Sequence, residues 1–133
     1  MMNLMTALYQ RISNAHEYET HRTQAPQQLE LPDGKKIPTP FPYAVFKLTP
    51  VSNTEKDRDD YMLTISCWDK TESPSDRRVL EVADNIRKAL INWQYLDEHN
   101  LIFMERPSLG HVPDPDETIK RYDVSTILKT YRR

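Results

Sequence analysis

Two histidines and two glutamates near the amino terminus are the first side chains along the chain that could take part in metal binding or catalysis. His16 and His21 enclose Glu17 and Glu19, and all four can bind a transition metal. The histidines lie five residues apart in a proline-rich segment, which matches neither the spacing of a helical zinc motif nor that of a hairpin. The pattern therefore favours a solvated polar loop, and we expect neither a metal nor a cofactor.

Aspartates occur in two further segments that resemble cation loops. Segment 55–60 offers oxygen ligands at alternate positions, as calcium loops do, but it has no turn glycine and basic residues interrupt it. Asp114 and Asp116 are separated by a proline. Both segments are interpreted as solvated turns rather than cation sites.

The single cysteine, Cys67, shares one strand face with Leu63 and Ile65, which favours an inert core position over a reactive one. A lone cysteine allows no internal disulfide. The chain has two glycines, too few for a phosphate-binding glycine loop, and no serine lies in a nucleophile elbow. We therefore predict that the protein is not an enzyme.

Composition limits the classes of partner. The 133 residues contain 18 basic and 20 acidic side chains, a net charge of −2, which argues against nucleic-acid binding driven by phosphate charge. The start of the sequence lacks the pattern of a signal peptide, and no apolar run has membrane length. We expect one domain over 1–133, made in a reducing cytoplasm without membrane contact.

The strongest structural pattern is a strand followed by an amphipathic helix. Residues 61–68 alternate between apolar and polar faces, as a half-buried strand does. Ser73 is predicted to cap the helix, with Pro74 at its first position. Apolar residues then recur every three or four positions and form one helix face: Val79, Val82, Ala83, Ile86, Ala89, Leu90 and Trp93.

Weaker patterns complete an α+β fold. They predict a helix over 3–13 and strands over 43–48, 101–105 and 118–131, with Pro50 ending the first of these strands. The predicted order is α-β-β-α-β-β, with one antiparallel sheet packed against two helices. Residues 15–42 contain five prolines, and we expect a long mobile loop there that becomes ordered only when the protein docks.

Charge distribution suggests an interface hypothesis. Two acidic segments and a basic carboxy-terminal segment could meet between copies in head-to-tail contacts, which close into rings when the rotation allows. An equally simple interpretation is that these charges are solvated. The candidate interface residues are Glu55, Asp57, Asp59, Asp60, Asp114, Asp116, Lys120, Arg121, Lys129 and Arg132.

The order of segments resembles the tail terminator and tail-to-head joining proteins of long-tailed bacteriophages, most of all the joining protein of Bacillus siphophages. Five segments carry the resemblance: the helix Leu4-Met-Thr-Ala-Leu-Tyr-Gln-Arg-Ile12, the strand entry Phe41-Pro-Tyr-Ala-Val-Phe46, the strand Leu63-Thr-Ile-Ser-Cys-Trp-Asp-Lys70, the helix Arg78-Val-Leu-Glu-Val-Ala-Asp-Asn-Ile-Arg-Lys-Ala-Leu90 and the turn Pro113-Asp-Pro-Asp116.

This resemblance implies a non-enzymatic virion component at the interface between tail and head. It would form a ring, of six copies in the particle, that caps the tail tube and binds the head connector protein. It implies no cofactor and no catalytic residue. The alternative from another class is a small cytoplasmic regulatory module that binds a ligand or peptide on its sheet.

Overall fold

A computed structural model describes residues 2–22, 28–30, 32–38, 40–51 and 58–132, with only the backbone at 2, 28–30, 36–38 and 132. The elements in chain order are α1 Met2–Ser13, β1 Glu19–Arg22, β2 Gln28–Glu30, β3 Lys36–Pro38, β4 Tyr43–Val51, β5 Arg58–Lys70, α2 Arg77–Leu90, β6 Gln94–Leu96, β7 Asn100–Met104, β8 Ser108–His111 and β9 Ile119–Arg132.

The main sheet has the strand order β1-β4-β5-β9-β7-β6, and β8 pairs with β9 beside β7. β1 runs parallel to β4, while the other neighbours in this sheet are antiparallel. β2 and β3 form a separate antiparallel pair. The α+β class is confirmed, but the prediction of a purely antiparallel sheet is wrong, and the predicted order lacks β1, β2, β3, β6 and β8.

The core lies between this sheet and the two helices. Phe46, Ile65 and Val124 align across β4, β5 and β9, and all three are fully buried with Ile86 of α2 and Leu8 of α1. Apolar periodicity alone located this surface, because alternate strand residues and one helix stripe must share the interior. The predicted burial of Ile65, Cys67 and Ile86 is confirmed.

The start of α2 differs from the sequence prediction. The helix begins at Arg77 with Asp76 as the residue before it, rather than with Ser73 as the cap. Hydroxyl groups of the preceding turn accept backbone N–H groups two residues ahead, Thr71 from Ser73, Ser73 from Ser75 and Ser75 from Arg77. Because the hydroxyl of Ser73 accepts the N–H of Ser75 in such a local turn, it does not cap the helix.

Part of the predicted loop 15–42 is ordered strand. β1 pairs with β4 in register, with Thr20 beside Ala44, and Thr20 is buried. The interpretation as a structureless loop is therefore wrong at 19–22, 28–30 and 36–38, and its positions 23–27, 31 and 39 lie outside the described residues. β4 also continues through Pro50 to Val51. On its β1 side, β4 pairs only through residues 43–46. Pro50 lies beyond this pairing, so its missing N–H costs no hydrogen bond to β1.

Candidate interaction surfaces

The main sheet has two unlike faces. α2 packs against β5, β8 and β9, and α1 packs against β1 and α2, all on the side of Ile65. Thr64 lies on the opposite side, aligned with Lys47 and Ser125. We call this second side the open face, since neither described helix packs on it. The open face and the surface loops hold most of the charges that the sequence singles out.

The acidic interface candidates of the segment 55–60 are only partly described. Glu55 and Asp57 lie outside the described residues, whereas Asp59 and Asp60 belong to β5 rather than to a loop tip. Asp60 is buried on the open face, where Arg58 Nη2 donates to its Oδ2 at 3.1 Å. Arg58 Nε also lies 2.9 Å from Asp60 Oδ1, at an angle that gives no hydrogen bond. Asp60 thus has its counter-charge inside the chain.

The basic candidates lie along the central strand β9 and have acceptors within the protein. Arg121 binds both carboxylate oxygens of Asp123 at 2.9 and 3.0 Å and stacks over the Trp68 ring at 4.6 Å. Lys129 Nζ lies 3.2 Å from a Glu105 carboxylate oxygen. Lys120 Nζ donates to the carbonyl oxygen of Glu117. Only the backbone of Arg132 is described.

Asp114 and Asp116 organise the turn that leads into β9. Asp114 Oδ1 accepts the backbone N–H of Asp116 at 2.9 Å, and Asp116 Oδ1 accepts both the N–H and the hydroxyl of Thr118. The bonds from Thr118 lower the pKa of the Asp116 carboxyl. The structure does not bring these turn residues into one cluster with Asp59 and Asp60, because β5 and β9 run antiparallel and Asp59 pairs with Thr130.

The residues considered for metal or nucleophilic chemistry have structural partners. His16 and His21 bond to Thr20 and Glu19 respectively. Among the described residues no three histidine, cysteine or acidic side chains form a group that could hold a metal. Burial raises the pKa of the Cys67 thiol to about 12, so its thiolate is scarce at neutral pH.

No helix in the described part of the chain is long and apolar enough to cross a membrane.

One buried ionic contact was missed by sequence reasoning. Asp69 is 2% exposed at the end of β5 and accepts hydrogen bonds from Arg78 Nε at 2.9 Å and Nη2 at 2.6 Å. A signal existed, because Asp69 continues the inward alternation of Leu63, Ile65 and Cys67. A carboxylate at an inward position needs a cationic partner.

Exposed apolar side chains are the second feature that sequence reasoning missed. Several outward positions of the sheet carry large hydrophobic residues with a third or more of their surface exposed. We call this group the apolar patch: Val51, Met62, Leu96, Phe103 and Tyr131. A signal existed for Met62, Phe103 and Tyr131, which are large apolar residues of predicted strands, whereas Val51 and Leu96 lie outside the predicted strands.

A shallow cleft of about 490 Å³ separates the turn before α2 from the turn before β9. Glu72, His111, Asp114, Glu117 and Lys120 are among its lining residues. Acidic groups and one lysine on two turns can make ionic contacts.

The fold defines a small α+β protein with two helices and a mixed sheet, one face of which the described helices leave open. The family model for tail completion protein gp17 matches residues 30–128, most of the chain, and the protein belongs to this family of phage tail completion proteins. It is therefore a structural component of the virion tail. No curated protein sequence matches the chain significantly.

A solved structure shares the fold at a TM-score of 0.64. The alignment covers the whole of this chain and 96% of that chain, at 11% sequence identity. At this identity the likeness extends to the fold alone. The phage tail assignment therefore comes from the family match.

Proposed function

We propose that this protein completes the phage tail as a ring of identical copies, six in the particle, and joins the tail to the head connector. Membership of a tail completion family supports the role in the tail. The partners would be further copies of the same chain, the tail tube protein and the head connector protein. The proposed position is the interface between tail and head, and the role is structural, without catalysis.

The observation that supports the ring proposal is that the main sheet has two different ends. β1 and β6 are the two end strands of the sheet order, so they differ in sequence and direction of pairing. The two ends of the molecule therefore present different groups to a neighbouring copy. Two different contact surfaces on one molecule favour head-to-tail association, which forms a ring when the rotation closes.

Electron microscopy of phage made without this protein tests the proposal. We expect complete heads and complete tails that stay separate, because the joining component is missing. Supply of the intact protein from a second gene copy should restore joined particles and serves as the control. Normal joined particles without the protein would contradict the proposal.

The copy number needs a separate measurement. Native mass spectrometry of complexes released from purified tails should detect a closed oligomer of this chain, with six copies expected. A single copy per tail would contradict the ring while leaving a role in tail completion intact.

A further inference from the structure

The exposed large hydrophobic side chains are concentrated on one surface. The described residues include six of them, and five form the apolar patch; the sixth is Tyr9. The strand register places Val51, Asp60, Lys129 and Phe103 in one cross-strand row of the open face. Leu96 aligns through Leu101 with Tyr131 in the next row.

The members of the patch lie on neighbouring rows of the open face. These rows lie two residues apart along the strands, which is about 7 Å. The rings of Phe103 and Tyr131 make an edge-to-face contact at 5.9 Å between centroids. Met62 is 42% exposed and Leu96, on the end strand β6, is 60% exposed. Phe103 and Tyr131 thus form an apolar cluster beside Leu96, whereas the ion-paired Asp60 and Lys129 lie between Phe103 and Val51 in their row. An exposed apolar cluster of this kind is typical of a protein contact rather than of a solvated face.

The charged groups beside the patch already have counter-charges. Arg58 pairs with Asp60 and Lys129 with Glu105. A polyanion such as nucleic acid would have to compete with these ion pairs. An apolar protein surface needs no such exchange, so it is the occupant that the electrostatics favour.

Several observations favour a second copy of this chain as that surface. Tyr9 is 45% exposed on α1, which packs beside β1 at the opposite end of the sheet from β6. At the β1 end, exposed Arg11 and Arg22 lie with exposed Glu17, whereas exposed Glu98 follows β6. Both ends of the sheet therefore carry exposed apolar groups, and exposed basic residues outnumber exposed acidic ones at the β1 end.

We propose that the apolar patch of one copy binds the Tyr9 side of α1 of the next copy. A helix from the neighbour would then cover the face that the chain's own helices leave open, which is the usual way to bury such a sheet. This inference rests on the proposed ring, and it identifies the two surfaces that meet there.

Disulfide cross-linking in assembled particles tests the contact. The variant Tyr9→Cys/Leu96→Cys should give dimers and larger covalent oligomers on mild oxidation, because each contact then brings two thiols together. Either single variant should stay monomeric. The native Cys67 is fully buried with a raised pKa, so it does not compete.

The matched control is Tyr9→Cys/Glu72→Cys, since Glu72 is exposed in the turn before α2 and outside the patch. It should stay monomeric. Dimers from Leu96→Cys alone would mean that the patch binds itself, and particles that assemble without cross-links would mean that it binds another protein. Either result overturns the inference, while the microscopy of phage lacking the protein decides the ring's function separately.

Charge exchange gives a test that does not depend on oxidation. Tyr9→Glu and Leu96→Lys should each lower the yield of joined particles about tenfold, because a charge is buried against apolar groups. The double variant should recover most of this loss, because the two charges then meet. Both sites are exposed, so unchanged melting of the purified variants verifies folding; equal defects in single and double variants would contradict the contact.

Discussion

At the scale of single residues, Asp69 depends on one charged partner, besides the backbone N–H of Lys70. Its carboxylate is almost fully enclosed, and Arg78 supplies two hydrogen bonds from a side chain that is half exposed. Replacement of Arg78 would leave a buried acceptor without its charged donor. We therefore expect Arg78→Met to lower the free energy of unfolding by about 1.5–3 kcal/mol, the range for hydrogen bonds to charged groups.

The neighbouring residue provides the control. Arg77 pairs with Glu81 at 3.0 Å, but both side chains are mostly exposed. Arg77→Met should therefore change the free energy of unfolding by less than about 0.5 kcal/mol. Urea denaturation of both variants measures the difference, and equal effects would show that the ion pair of Asp69 does not stabilise the fold.

His16 makes folding sensitive to mild acid. Its Nδ1 accepts the Tyr18 N–H at 3.1 Å, so Nε2 carries the proton and donates to Thr20 Oγ1 at 2.8 Å. Burial lowers the pKa of His16 below its ordinary value of 6.5. The unfolded chain thus binds a proton first as the pH falls, and stability is lost from about pH 6.5 downward until the folded pKa is passed.

The variant His16→Asn keeps an acceptor for the Tyr18 N–H but cannot titrate in this range. We expect the intact protein to lose more stability than this variant between pH 7.5 and pH 5, measured by urea denaturation. His99→Asn controls for the loss of one imidazole and should follow the intact protein. Parallel pH profiles for the intact protein and His16→Asn would exclude the proposed linkage.

At the scale of elements, α2 contributes most to the shared core. Ile86 is fully buried against the sheet. Ile86→Ala removes buried methyl groups and leaves a cavity, so we expect a loss of about 2–5 kcal/mol. Leu96→Ala is the exposed control and should be close to neutral. A melting temperature of Ile86→Ala equal to that of the intact protein would contradict the helix assignment.

The parallel strand β1 gives a prediction about exchange. Its backbone pairs with β4 and Thr20 is buried within one chain, without any partner protein. Amides of 19–22 that bond to β4 should therefore exchange more slowly in the free protein than those of the exposed turn 114–117. Equal and fast exchange in both segments, measured by mass spectrometry or NMR, would show that β1 forms only upon docking.

Sequence periodicity predicted the longer helices and strands. The shorter strands depend on pairing with other strands, which a local sequence pattern does not show. β5 and β9 alternate over more than ten residues, so their inward faces were evident. β1 is Glu-Thr-His-Arg, and only its pairing with β4, across a long and polar segment, makes it a strand. β6 and β8 have three and four residues, too few for any period to show.

The same limit applies to the candidate interface. Side-chain type showed which residues are charged, but not that Arg121 binds Asp123 or that Arg58 binds Asp60. These pairs join residues two apart on one strand, which share a face. The alternation of β9 was available from the sequence, so the pair Arg121–Asp123 could have been predicted from it. Arg58 and Asp60 precede the predicted strand 61–68, so that pattern did not contain their pair.

At the scale of the whole molecule, the two hypotheses for association differ in their response to salt. Contact through the apolar patch should change less than about threefold between low and physiological ionic strength, because its neighbouring charges are paired inside the chain. Contact through exposed acidic turns such as 114–117 should weaken strongly instead. Analytical ultracentrifugation across a salt series at constant pH measures which dependence holds.

The central position of β9 has a consequence for synthesis on the ribosome. β9 lies between β5 on one side and β7 and β8 on the other, although it is the last strand along the chain. Until its residues emerge, β1, β4 and β5 can pair only as one partial sheet, and β6 and β7 as another. The nascent chain therefore exposes the inner edge of β5, a strand rich in apolar residues, to other chains and to chaperones. Completion of the fold waits for the strand that joins both halves.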